Sequence, residues 1–273
     1  ETIDETLLAR MDAGTREKLL WAGKVREFAA KSLGIEPGGA YTAYLDTKGL
    51  PVSTIVVAAH PLALQPYRWH FPIAGTVPYK GFFEPERAKA ERDRLRAKGL
   101  DAVCLPVGAF STLGWFDDPV LSTLLALPRS RLAEILIHEM THRTVYFPDR
   151  PDLSEGVAEF LGRAGAEALL RSMAPGVPEG ASGSCADELQ EFLEDLALQD
   201  LRDHLAARLR SDLDALYRSR LPDPWKLERK AEIFATAAQT FRAAGLNPVS
   251  GGRDSLGSNA PVVLEHQYQG NLP

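Results

Sequence analysis

Hydrophobic positions recur with a helical period at the start of the chain. Leu19, Ala22, Val25, Phe28 and Ala29 fall three or four residues apart, so the first 35 residues read as helix with one buried face, and Gly34 is a natural stop. The period then shortens. Residues 40–46, 52–59 and 67–73 are runs rich in β-branched and aromatic side chains, separated by Gly, Pro and Lys-Gly turns, and they predict a small sheet. Glu84-Pro85 opens a charged amphipathic helix that Gly99 closes, and residues 101–107 read as a further strand.

After residue 119 the pattern turns helical. Pro128 and Ser130 are start signals for one helix, and Pro148 stops it. A second helix is expected from about Asp152 to Arg171, with Leu153, Val157, Phe160, Leu161, Ala164 and Ala168 on its inner face. Residues 174–184, rich in Gly, Pro and Ser, read as an exposed loop. Leucines at near-helical spacing from Leu189 to Leu221, a break at Pro222-Asp223-Pro224 and a return helix from Trp225 to Ala244 predict an antiparallel hairpin. The tail is Gly/Ser-rich before a last apolar patch at Val262-Val263-Leu264. This succession predicts an α+β fold, a small mixed or antiparallel sheet region followed by a mostly helical half. The expected division is 1–125 and 126–273, the second part carrying the metal site of a single catalytic unit.

The chemistry concentrates in one predicted helix. His138-Glu139-Met140-Thr141-His142 reads H-E-x-x-H, and residues four apart on a helix share a face. His138 and His142 can therefore grip one ion, with Glu139 beside it as general base, the arrangement of a zinc hydrolase. A catalytic zinc takes three protein ligands, so a third is sought downstream. Glu155 falls in the first turn of the next helix, within reach if the chain reverses after Pro148; with Asp152 as N-cap it also completes a capping box. Glu159 is the rival ligand, but Arg163 follows at i+4 and suggests a surface ion pair. Asp149 is placed to orient a histidine from behind. His60 and His204 read as solvated surface residues. An oxyanion formed on a substrate needs one more donor, and Tyr79, Tyr146, His266 and Tyr268 are the candidates.

Charge and composition narrow the partners. Thirty-one basic against 37 acidic residues give −6 without long single-sign blocks, which argues against nucleic acid as a partner. No apolar run approaches the roughly 20 residues of a membrane span. Two cysteines, Cys104 and Cys185, are too few for a disulfide framework. The chain starts at Glu1 without a charged n-region or apolar h-region, so any targeting segment is expected to have been removed or never to have existed.

The run Leu153-Ser154-Glu155-Gly156-Val157-Ala158 is similar to the L-N-E-G-F-A pattern of gluzincin aminopeptidases, in which the glutamate is the third zinc ligand. Ordered segments along the chain carry a closer resemblance. They are Arg26 to Ala29 with Leu33-Gly34, Phe71 to Gly75 running into Tyr79 to Phe83, Ser111 to Thr123, the histidine helix, and Asn259-Ala260 with Tyr268. Together they resemble a bacterial family of predicted aminopeptidases, many of them envelope lipoproteins. The resemblance implies a gluzincin-like helical half, Zn2+ held by His138, His142 and Glu155, and Glu139 as base; it gives Tyr268 no role, and Tyr268 is taken as the oxyanion candidate. It implies a peptide substrate, and in gluzincins an extended segment before the metal helix lines the cleft; residues 111–116, with Ser111, Thr112, Trp115 and Phe116, are expected either to form that wall or to be a buried aromatic turn, and Tyr79 is a further expected substrate contact. It also implies a periplasmic or envelope location, with membrane attachment only through a removed N-terminal lipoprotein segment. Arg143 departs from the pattern by setting a charge directly after the second histidine. The alternatives are a zinc hydrolase of a non-peptide amide or ester, and a non-catalytic envelope protein that binds peptides or acts as a scaffold.

Overall fold

Asp4 and Asp12 open the first two helices. Their carboxylates accept the backbone N–H groups of Leu7 and Thr15, donors that the first turn of a helix leaves unpaired, and so start α1 (Glu5–Arg10) and α2 (Ala13–Ser32). α2 buries Leu19, Trp21, Ala22, Val25 and Ala29, and Gly34 follows with φ 67°, as the helical period and the terminal glycine predict. In chain order there follow β1 (Tyr44–Leu45), β2 (Ser53–Ala59), β3 (Trp69–Phe71), β4 (Gly75–Val77), β5 (Tyr79–Phe82), α3 (Pro85–Arg96), β6 (Asp101–Val107) and β7 (Val120–Leu121). The remainder is helical: α4 (Ser122–Leu125), α5 (Arg129–Thr144), α6 (Pro151–Met173), α7 (Ser184–Arg218), α8 (Asp223–Ala243) and α9 (Asn259–Tyr268). This computed structural model describes residues 1–48, 53–71, 75–107, 117–147, 150–173, 184–246 and 257–268. It is α+β, 63% helical with small antiparallel sheets.

The described residues form two compact units, each drawn from separated stretches of chain. One gathers 1–51, 108–196 and 268–273; the other gathers 52–107 and 197–267.

In the second unit, β2 is the centre of an antiparallel sheet ordered β5-β2-β6, with Val57 opposite Tyr79 and Ala59 opposite Asp101. Successive side chains of a strand point to opposite faces. Val56 and Ala58 pack with Trp69, Ala88, Leu95 and Ala102 on the α3 side, while Val57 and Ala59 pack with Val103, Leu105, Ala260 and Val263 on the α9 side. Both faces are covered, which is why β2 reads as a continuous apolar run rather than an alternating one. Leu209, Leu213, Phe234 and Val262 join the second half of α7 to α8 and α9. A buried polar clasp ties these helices to the sheet. Lys230 reaches Asp101 at 2.5 Å, the Asn259 N–H donates to the same carboxylate at 2.7 Å, and the Tyr217 hydroxyl donates to Asn259 at 2.7 Å.

In the first unit, β1 and β7 pair in parallel, and α5 lies between α2 and α6. Trp21 of α2 donates its indole N–H to the carbonyl of Arg129 at 2.8 Å, and the Arg129 guanidinium stacks 4.2 Å from the same ring. α6 crosses α5 through small residues. A Cβ on Gly162 would stand 2.9 Å from the Glu134 carbonyl oxygen and 3.2 Å from His138 Cβ, so only glycine permits this approach.

Three sequence expectations change. The inner face of α6 is not Leu153, Val157, Phe160, Leu161, Ala164 and Ala168. It is Ser154, Ala158, Gly162, Gly165, Ala166, Leu169 and Leu170, one residue on, and Phe160 is 64% exposed. A one-residue shift turns the helix by about 100°, and the small side chains win because they let two backbones come together. The strand expected over 40–46 shrinks to Tyr44–Leu45, because residues 38–41 form a turn with positive φ at Gly38 and Tyr41. β4 and β5 were not expected as strands, since Pro78 and Gly81 break their apolar pattern. Cys104 and Cys185 are not joined in a disulfide, and no helix of the described residues is long and apolar enough to cross a membrane.

Candidate metal centre

α5 puts His138 and His142 one turn apart, and α6 returns antiparallel across it with Glu155 just past its first turn. That helix begins at Pro151, so Asp152 lies inside it and is not its N-cap, and Glu155 is no capping-box partner. The N–H groups of Leu153 and Ser154 are instead taken by the carbonyl of Arg150. Ser154, 2% exposed, accepts the Phe147 N–H on its hydroxyl at 2.9 Å and pins the start of α6 to the end of the α5–α6 turn.

Three side chains then converge. His138 Nε2 lies 3.4 Å from one Glu155 carboxylate oxygen, His142 Nε2 lies 3.6 Å from the other, and the two Nε2 atoms are 3.3 Å apart. These separations are long for hydrogen bonds, which centre near 2.9 Å. They match the spacing of about 3.3–3.6 Å between ligand atoms on one tetrahedral zinc with bonds of about 2.0–2.2 Å. His138, Glu139 and His142 also form a group that could hold a metal ion, their donor atoms all within 4.8 Å of one another. The separations to Glu155 are the shorter ones, each histidine facing a different oxygen of its carboxylate, and Glu139 lies beside the same two histidines. Two imidazoles and a carboxylate suit a transition-series ion such as zinc better than calcium or magnesium, which take oxygen ligands.

The electrostatics agree with a cation-seeking site. Burial alone would raise the Glu155 pKa; its contacts with the two imidazoles outweigh burial and hold it at about 2. Burial lowers His138, but Glu155 and the charges of Glu139 and Glu159 more than offset it, and the net shift is upward. Glu159 pairs with Arg163 at 2.6 Å, as their i,i+4 spacing predicts, and is turned to that role. The charge of Arg143, the departure noted beside His142, is answered by Asp117 at 3.0 Å.

The remaining expected site residues divide in two. Tyr79 sits in β5 opposite Val57, half-buried against the sheet core. Tyr268 ends α9, but its side chain lies outside the described residues, as does that of His266. Ser111, Thr112, Trp115, Phe116 and Asp149 also lie outside them. Sequence reasoning missed Ser154 and Gly162, which lie on the same helix as Glu155 and could have been read as small residues on one helical face.

A family model described as "putative aminopeptidase" matches residues 1–260. The chain belongs to this family. No curated protein and no solved structure matches it. A peptidase family and a His/Glu group able to hold a metal thus meet in one chain, and the matched span contains α5 and α6 entire.

Proposed function

We propose that this member of the family is a zinc-dependent peptidase acting on free N-termini, with His138, His142 and Glu155 holding the ion and Glu139 as general base. The observation that carries the reading is the 3.3–3.6 Å approach of His138, His142 and the two carboxylate oxygens of Glu155, with the Glu139 carboxylate close beside the two histidines. A structural zinc is normally closed by four protein ligands and has no use for a base. When bound, zinc supplies a Lewis acid and lowers the pKa of a coordinated water toward about 7. Glu139 takes a proton from the attacking water and returns it to the leaving nitrogen, so that one carboxylate serves both halves of the hydrolysis. Ser154 and Gly162 position the third ligand: the first anchors the start of α6, the second lets α6 lie against His138. Family membership supports a peptide bond as the target.

The test is metal content followed by turnover. The protein as purified should bind one zinc, His138→Ala should lose it, and Glu139→Gln should keep it while hydrolysis of dipeptides and amino-acid amides falls by about 10²–10⁴-fold. Full zinc retention in His138→Ala, or wild-type turnover in Glu139→Gln, would overturn the assignment. Equal cleavage of blocked and free N-termini would remove the aminopeptidase specificity and leave the peptidase.

A further inference from the structure

Tyr41 has φ 60°, one of two described non-glycine residues with positive φ. That conformation brings Cβ against the following carbonyl and persists only where the surroundings enforce it, which marks such residues as functional candidates. Here the enforcement is visible. The Tyr41 N–H donates to the carbonyl of Asp118 at 2.7 Å, and Arg26 of α2 donates to the carbonyls of Ala40, at 2.7 Å, and Gly38.

The turn is seated on α5. A Cβ on Gly38 would stand 2.6 Å from Arg143 Nη2, and one on Gly39 would stand 2.2 Å from Asp117 Oδ2, the partner of Arg143. Arg143 is four residues beyond Glu139, so the turn lies on the helix face that carries the proposed base. Tyr41 is 6% exposed, its hydroxyl makes no hydrogen bond to a described residue, and that oxygen is not one of the fully buried unpartnered atoms, so it remains reachable. Burial, and the nearby charges of Glu139 and Asp118, raise the phenol pKa well above its ordinary value, so the group is a neutral donor throughout the working pH range.

We propose that Tyr41 is a catalytic residue of this site, donating its phenolic hydrogen bond to the substrate carbonyl oxygen as negative charge develops there. No bond to the phenol is broken; the proton stays on Tyr41. The proposal rests on the peptidase reading above. It explains why a bulky residue stands at a position whose backbone favours glycine, with its hydroxyl making no hydrogen bond among the described residues.

The test is Tyr41→Phe in the zinc-loaded protein. The expected result is a fall in kcat of about 10²–10³-fold, with KM, zinc content and Tm close to wild type. Affinity for a phosphinic peptide, whose tetrahedral anion resembles the charged carbonyl, should fall by a similar factor, and affinity for a product amino acid should not. Unchanged kcat and phosphinate affinity would overturn the proposal. So would a lowered Tm with phosphinate affinity intact, since that is the behaviour of a structural tyrosine. Wild-type protein that holds zinc but hydrolyses no peptide would overturn the peptidase reading and the proposal together, an outcome distinct from an active enzyme indifferent to Tyr41→Phe.

Discussion

Replacing Gly162 with alanine tests whether the close crossing of α6 over α5 builds the candidate site. Two effects oppose each other. Alanine in a helix interior is favoured over glycine by about 1 kcal/mol. Against this, the new methyl would sit 2.9 Å from a backbone carbonyl oxygen and 3.2 Å from His138 Cβ, where carbon contacts prefer about 3.5–4.0 Å. Neither neighbour is a flexible tip, so α6 must retreat by a few tenths of an ångström, and overpacking of this kind costs about 1–3 kcal/mol. Gly23 in α2 is the control, since its Cβ would meet nothing within 4 Å. Gly23→Ala should therefore stabilise by about 1 kcal/mol, and Gly162→Ala should fall about 1–3 kcal/mol below it. Gly165→Ala should lie between, because its Cβ meets the ends of Leu33 and Ile137 side chains, which can turn away. Glu155 lies seven residues before Gly162 on the same helix, so the retreat also widens the ligand triangle. Zinc affinity should drop about 10–100-fold, the usual cost of disturbing what orients a ligand. Urea denaturation reads the first effect and competition with a chromophoric chelator reads the second. If Gly162→Ala gains as much stability as Gly23→Ala and binds zinc as tightly, the crossing is not what sets the site.

Three further outcomes follow from single contacts. Glu91 is held at about 2, chiefly by its hydrogen bonds from Arg94, with Trp69 donating a further one; its folded pKa lies below the ordinary 4.5, so its stabilisation is complete above pH 4.5 and lost as pH falls toward 2. Denaturation at pH 6 and pH 3 should show Glu91→Gln losing less stability on acidification than wild type, by about 1 kcal/mol after solvent screening; equal losses would contradict it. Lys230→Met should cost about 3–5 kcal/mol by leaving Asp101 without its cation in the clasp, and adding Asp101→Leu should recover part of that in a double-mutant cycle; strict additivity would mean the pair is not coupled. Ser154→Ala should cost about 1–3 kcal/mol by stranding the Phe147 N–H, with faster hydrogen exchange at that amide as the direct check and unchanged exchange as the refutation.

The site is legible in the sequence to the extent that it is local. His138, Glu139 and His142 are set by a four-residue repeat, and Glu155 follows after one turn, so sequence spacing and the brevity of the connection bring all four together. Helix ends marked by Pro85, Gly34 and Gly99, and β6 with its bounds of 101 and 107, are likewise local statements of backbone freedom and side-chain shape. The orientation of α6 was not. Size suggested Phe160 and Leu161 as its inner residues, whereas the helix turns its glycines and alanines inward, because the distance between two backbones depends on what the facing helix presents.

What the sequence by itself determined is therefore most of the helices, strands β2 and β6, and the His/Glu pattern that could hold a metal, since these follow from periodicity within a few turns. Only the tertiary structure decided which face α6 buries, that Asp117 answers Arg143, that Asn259 joins Asp101 and Tyr217 in a clasp, and that Tyr41 is buried with positive φ within range of the Glu139 charge. Each of these depends on groups tens of residues apart. Their energies come from close approach, enforced strain and buried polar pairing, and none of these leaves a repeat in the chain for a pattern to detect.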